Sequence, residues 1–139
     1  MLSFGSFFYH YRSLLPIPFY LLILYFGHLT TTGLISSSIL VGIGLILRIW
    51  TAGYTDRESR LNRFAIRKLI TNGPYRFSRH PLYAGNFFLT SGVLVLYSPG
   101  LVLALIIILL FIFEYFSIIF AEEDFLVKNL GTEYEEYMR

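Results

Sequence analysis

An all-α membrane protein of about four transmembrane helices is the architecture this sequence predicts. Three observations carry that expectation: a composition too apolar for a small soluble domain, four apolar runs of near-spanning length, and a basic charge gathered on one side of them. The 139 residues are 55% hydrophobic and 19% aromatic but only 14% charged, against about 25% charged in an ordinary soluble domain. Mean hydropathy is +0.62. The length fits a single domain over 1–139. Cysteine is absent, which excludes disulfides, thiolate metal sites and a cysteine nucleophile.

A bilayer-spanning helix needs roughly 20 apolar residues. The first candidate is 14–29, LLPIPFYLLILYFGHL. No small-residue cleavage site follows it, so it reads as a retained span and not as a signal. The second is 33–50, GLISSSILVGIGLILRIW, whose Gly42-Ile43-Gly44 suits close helix packing. The third, 81–97, opens on Pro81, which fits a first helical position where a missing N–H costs nothing. The fourth, 100–120, is the most uniformly apolar. Its helix should run on to Leu130, because Gly131 is the first strong terminator after Gly100. About 30 residues of helix exceed a hydrocarbon core of about 30 Å, so 121–130 should project beyond the bilayer and 132–139 should form a short further helix.

Charge orients the bundle. Arg57, Arg60, Arg63, Arg67, Lys68, Arg76 and Arg79 all lie in the loop 51–80, and the short connectors at 30–32 and 98–99 hold no Lys or Arg. With both termini on the same side as that loop, the positive-inside rule puts the loop, the termini and the tail 121–139 in the cytoplasm. The expected partners are membrane lipids and a lipophilic small molecule, with no nucleic acid.

Two polar clusters should then meet at this inner face. One is GPYRFSRHPLYAGN, 73–86; the other is AEED, 121–124. His80 would stand at the mouth of the third helix, where free backbone N–H groups favour an anion, with Arg79 beside it. Gly85, one turn in, would let a ligand approach the backbone. Tyr75 and Tyr83 offer faces to an aromatic ring or a cation. Glu122 and Glu123 would hold an ammonium group or a pair of ribose hydroxyls. A ligand meeting all of these carries a carboxylate, a cation, an aromatic base and a sugar. S-adenosylmethionine has all four and many nucleotides have three. The same residues equally suit lipid headgroups and an interfacial tyrosine belt.

The segments RKLITNGPYRFSRHPLYAGNFFLTSG, 67–92, and EEDFLVKNLGTEYEEY, 122–137, resemble the isoprenylcysteine carboxyl methyltransferase and phospholipid methyltransferase group of integral-membrane enzymes. The likeness runs through G-P-Y (Gly73, Pro74, Tyr75), R-H-P-x-Y-x-G (Arg79, His80, Pro81, Tyr83, Gly85) and the paired acids followed by Leu126, Gly131, Tyr134 and Tyr137. It implies S-adenosylmethionine as cofactor, held by Arg67, Lys68, Leu69 and Ile70 ahead of G-P-Y, by Tyr75, by His80, Pro81, Leu82 and Tyr83 and by Glu122, to which the reading of the turn adds Arg79 and Gly85. It further implies methyl transfer to a lipophilic acceptor, either a prenylcysteine-type carboxylate or a phospholipid-type amine. Ile118 stands where prenylcysteine enzymes tend to carry a substrate-handling arginine, and the chain stops at Arg139 where many members continue. Both departures argue against a prenylcysteine acceptor.

For the chemistry, Glu123 is the candidate to take a proton and Arg139 the candidate to hold an anionic acceptor. Glu114, Ile118 and Glu122 follow one another at i, i+4 and i+8 on one face, and Glu114 and Ile118 are candidate acceptor contacts. An intramembrane carboxylate is functional by default, so Glu114 would meet a cationic headgroup such as ethanolamine, or else pair with Arg48. No metal site is expected, and His10 and His28 lack ligand partners at helical spacing. Competing functions are a small four-helix transporter exchanging a cation at Glu114, a membrane reductase sharing the R-H-x-x-Y turn, and a non-catalytic interaction protein.

Overall fold

A computed structural model describes residues 14, 16–55 and 69–138. Every element among them is helical: α1 (Pro16–Phe26), α2 (Leu34–Tyr54), a 3-10 turn (Gly73–Arg76), α3 (Pro81–Tyr97), α4 (Leu101–Leu130) and α5 (Thr132–Met138). α3 has the expected bounds, with Pro81 at its first turn. α4 runs unbroken through the apolar stretch and AEED to Gly131, whose φ of +54° ends it, and α5 follows as the short further helix.

α1 is shorter than the expected 14–29, and the reason is tertiary. After Phe26 the chain leaves the helix to close the far end of α3. His28 N–H donates to Tyr97 O at 2.6 Å and Thr30 N–H to Leu96 O at 3.0 Å, while the Thr30 hydroxyl also reaches Leu96 O. These bonds satisfy carbonyls that the last turn of α3 leaves without intrahelical partners. Gly27 makes the close approach possible: a Cβ there would come within 2.8 Å of Tyr97 O.

Two helices, α2 and α4, are long and apolar enough to cross a membrane; α1 and α3, at 11 and 17 residues, are shorter. Neither long helix is buried like the core helix of a soluble protein. Only 17% of the most apolar window of α2 and 28% of that of α4 lies inside the protein. Ile35, Ile46 and Ile49 on α2, and Leu101, Val102, Leu109 and Phe120 on α4, are exposed. An apolar surface that continuous needs a nonaqueous surrounding.

α2 and α3 pack through small residues. A Cβ on Gly44 would lie 2.8 Å from Gly85 O, and one on Gly92 would lie 2.7 Å from Val41 Cγ2 and 3.1 Å from Ser37 O. This is the close backbone approach that small residues permit in membrane helices. Gly42 takes no part, since a Cβ there meets nothing within 4 Å. α4 joins through two side-chain clusters. Ile23, Leu94 and Ile107 unite α1, α3 and α4; Tyr83, Phe111, Tyr115 and Ile118 unite the first turn of α3 with the middle of α4. Overpacking a tight seam costs about 1–3 kcal/mol. Gly44→Leu and Gly92→Leu are therefore expected to lower the thermal unfolding midpoint in detergent, whereas Gly42→Leu leaves it unchanged; equal effects at positions 42 and 44 would contradict the packing.

Candidate functional site

The site forms where the first turn of α3 meets α4 as it leaves its apolar run. Pro74 is buried in the 3-10 turn, and Phe77 N–H and Ser78 N–H both bond to Pro74 O. This tight turn delivers Arg79 and His80 to the start of α3. His80 O accepts from the N–H groups of Tyr83 and Ala84, fixing its side chain at the helix mouth.

Three side chains from this turn and helix engage the paired acids of α4. Tyr83 Oη donates to Glu122 Oε2 at 2.8 Å. The His80 ring lies between both acids, with Nε2 3.2 Å from Glu123 Oε1 and Nδ1 3.6 Å from Glu122 Oε2. Arg79 reaches the same Glu123 oxygen at 2.9 Å. The His80 and Tyr83 rings stack with centroids 5.7 Å apart. α5 then folds back: the Tyr137 hydroxyl donates to Tyr75 O, and the Tyr75 hydroxyl meets Thr55 Oγ1 at 3.2 Å, so the tail, the 3-10 turn and the end of α2 are tied together.

Above this polar knot, α3 and α4 leave a groove of about 380 Å³. Ser78, Arg79, His80 and Tyr83 form its polar end. Ala84, Phe87, Phe111, Ile112, Tyr115, Phe116 and Ile119 form the rest. It is a mostly apolar concavity with a few convergent polar groups, the usual form of a small-molecule site.

The expected site residues do not all gather here. Arg79, His80, Tyr83, Glu122 and Glu123 come together, with Tyr75 held beside them through Tyr137. Pro81 is buried as the start of α3. Leu82 is exposed, and Leu69 and Ile70 are half-buried; none of the three lines the groove. Gly85 is turned away from a ligand: a Cβ on it would lie 2.9 Å from Arg48 Cγ and 3.2 Å from Gly44 O, so α2 uses its missing side chain. Ile118, 1% exposed, belongs to the core cluster and is not a groove residue. Glu114 is 2% exposed and Oε1 has no hydrogen-bond partner; it does not line the groove either, and Arg48 bonds to Asn86 at 2.6 Å instead. Arg67, Lys68 and Arg139 lie outside the described residues. Among the described residues no three His, Asp or Glu side chains stand together as a metal site.

Sequence reasoning missed two features. Tyr134 matched a motif position without a role, yet it is 1% exposed and its hydroxyl makes no hydrogen bond of ordinary geometry. Burial and the charge of Glu123, opposed by Arg79, push its pKa up to about 12, so it stays a neutral donor beside the knot. The second is Asn86, which bonds to both Arg48 and Tyr115. Its signal was an amide one turn inside an apolar helix.

The chain belongs to the phospholipid methyltransferase family, which matches residues 18–133. Among similar proteins, the nickel-cobalt-cadmium resistance protein NccN of Alcaligenes xylosoxydans is 33% identical over 100 residues, covering 71% of this chain and 43% of that protein. The cobalt-zinc-cadmium resistance protein CzcN of Cupriavidus metallidurans is 31% identical over 130 residues, covering 88% and 56%. A probable protein-S-isoprenylcysteine O-methyltransferase of Oryza sativa is 34% identical over 104 residues, covering 71% and 53%. The chain thus spans about half the length of the curated relatives it matches. No solved structure matches it.

Burial opposes charging of the His80 imidazole, but hydrogen bonds to Glu122 and Glu123 and their negative charge outweigh it, so its pKa lies above the ordinary 6.5. A folded-state value raised above the unfolded one stabilises the fold fully below the unfolded pKa, and that contribution is lost as pH rises through the raised value. The unfolding midpoint of the wild type, relative to His80→Gln, is expected to fall as pH rises from about 6 to about 9; parallel profiles would mean the histidine is not charged between the acids.

Proposed function

We propose that the chain is an S-adenosylmethionine-dependent membrane methyltransferase acting on a lipophilic acceptor at the cytoplasmic face. The observation that carries this reading is the meeting of His80 and Tyr83 with Glu122 and Glu123 at the polar end of an apolar groove, in a chain of this family. In this reading α1 and α3 complete a four-helix membrane domain with α2 and α4, the basic loop 51–80 and both termini face the cytoplasm, and the acceptor comes from the bilayer.

The donor set fits the cofactor. Arg79 and His80, at the mouth of α3, suit its carboxylate; Glu122 and Glu123 suit its ammonium or ribose hydroxyls; the faces of Tyr75 and Tyr83 suit adenine or the sulfonium. The buried Tyr134 hydroxyl, adjacent and without a hydrogen bond of ordinary geometry, is the kind of group that a bound polar group would satisfy. The cofactor supplies an electrophilic methyl group on a positively charged sulfur. The chain's own residues align the acceptor and keep water away. The groove aromatics exclude water, and Glu123 is placed to take the proton that an amine acceptor must lose. Arg139 would hold an anionic acceptor.

A second reading, a small transporter, draws on Glu114, a buried carboxylate with a partnerless oxygen. Cofactor binding separates the two. The purified protein incubated with methyl-labelled S-adenosylmethionine and a total lipid extract should yield a labelled lipid. It should also show a cofactor-dependent thermal shift that His80→Ala and Glu122→Gln abolish. A wild type with no shift and no labelled product ends the methyltransferase reading. Tyr134→Phe is expected to leave the unliganded protein as stable as before, since removing an unpartnered hydroxyl costs little, and to weaken cofactor binding roughly tenfold. Unaltered affinity would show that the hydroxyl contacts nothing in the bound state.

A further inference from the structure

Phe77 is a large apolar ring on a turn otherwise rich in polar residues, and it is 80% exposed. Its ring meets that of Trp50 near the end of α2, with centroids 6.2 Å apart and the planes tilted by 47°. Two further contacts hold the same turn against the last residues of α2. Gly73, at φ +63°, passes so close over the Tyr54 ring that a Cβ on it would lie 2.5 Å away, and the Tyr75 hydroxyl meets Thr55 Oγ1. The turn therefore lies beside the end of α2 and does not hang beyond it.

That level is set by helix length. The 21 residues of α2 extend about 30 Å, close to the roughly 30 Å thickness of a hydrocarbon core, so its last turn falls where acyl chains give way to headgroups. Ile46, Ile49 and Trp50 are exposed on one face of α2, and Phe77 prolongs that apolar strip. Arg76, the residue before Phe77, is exposed too. Rings beside a basic side chain are the composition of interfacial segments, and in water the two rings would forfeit the gain of burial. We infer that the turn 73–80 is seated in the lipid interface, with Phe77 and Trp50 entering the boundary of the acyl chains and Arg76 meeting headgroup phosphate; the partner is a phospholipid surface. Arg79 and His80 follow Phe77 by two and three residues, so the bilayer is also a support that holds the turn carrying them. This rests on the reading of α2 as a membrane span given above and not on methyl transfer.

Trp50 is the only tryptophan in the chain, so fluorescence can be confined to one site at a time. The wild type reports on position 50 and the double variant Phe77→Trp/Trp50→Phe on position 77. Both are placed in nanodiscs of phosphatidylcholine and phosphatidylglycerol, brominated either near the carbonyl end or near the methyl end of the acyl chains. Both reporters are expected to be quenched more by the shallow bromines than by the deep ones, and to be shielded from aqueous acrylamide. Adding Arg76→Gln to the double variant should lower the ratio of shielded to acrylamide-accessible reporter roughly fivefold, from the about 1 kcal/mol that one basic side chain carries at an anionic lipid surface. Phe77→Ser should speed amide exchange across 73–80 in nanodiscs and leave the middle of α2 unchanged. A reporter at position 77 that is open to acrylamide and untouched by lipid bromines, or one quenched most by the deep bromines, overturns the inference, as does a Phe77→Ser turn that exchanges no faster. A third reporter, Leu109→Trp/Trp50→Phe, sits on the exposed side of the apolar run of α4 and should be quenched most by the deep bromines. Absence of lipid quenching there would end the membrane reading and this seat with it, whereas failure at position 77 alone ends only the seat. Failure of S-adenosylmethionine to bind would overturn the methyltransferase reading instead, without touching these measurements.

Discussion

The hydrogen bond from Tyr83 to Glu122, 2.8 Å long and half sheltered from solvent, is the contact on which the site depends. It joins two helices from segments 39 residues apart, at the level where α4 passes from apolar to charged sequence. A hydrogen bond to a charged group contributes about 1.5–3 kcal/mol, and here it also sets the rotation of α4 about its axis. With Glu122 on Tyr83, Tyr115 and Ile118 are brought to the α3 side, and Glu123 falls beside Arg79 and His80. Two acids face two basic groups, which keeps the knot close to neutral without a ligand. A zwitterionic ligand can exchange with both kinds of partner at little net electrostatic cost, whereas a simple anion or cation would leave one pair unmatched.

The rigidity of α4 extends that contact to the rest of the groove. Its 30 residues make one rod of about 45 Å, longer than a hydrocarbon core of about 30 Å. The acids and the groove aromatics Phe111, Tyr115 and Phe116 thus occupy a single element, and their relative placement does not pass through a loop. α5 folds back against α4 and is tied by Tyr137 to the backbone of Tyr75.

Punctuation in the sequence was legible because its physics is local. Pro81 set the start of α3 and Gly131 the end of α4, and the meeting of the R-H-P-x-Y turn with the paired acids followed from helix length. What stayed hidden depends on partners distant in the chain. The end of α1 is decided by the carbonyls of α3, which residues 27–30 cap. Gly42 and Gly44 look alike in sequence, yet only Gly44 is turned toward α3, because the rotation of a helix is fixed by its neighbours. For the same reason Gly85 serves α2 and Ile118 the core. The Arg48–Asn86–Tyr115 chain joins residues 38 and 29 positions apart, and no spacing rule reaches that far.

One stripe of α4 shows how the chemistry is ordered with depth. Ile107, Phe111, Tyr115, Ile118 and Glu122 recur at intervals of three or four and face its neighbours. The stripe runs from aliphatic through aromatic to a phenol, returns to an aliphatic residue at Ile118 and ends in a carboxylate, and from Phe111 to Glu122 it covers roughly 16 Å. A ligand bound along such a face is sorted by length as well as polarity: its apolar part lies against the rings, and its polar head reaches the depth of Tyr115 and the mouth of α3. Glu114, one residue off this stripe, shows the contrast. Its carboxyl is just as buried, but Arg48 is engaged by Asn86, so no cation from α2 neutralises it. A side chain that costly to bury stands where an aliphatic residue would pack, and that separates it from its buried neighbours Phe111, Tyr115 and Ile118.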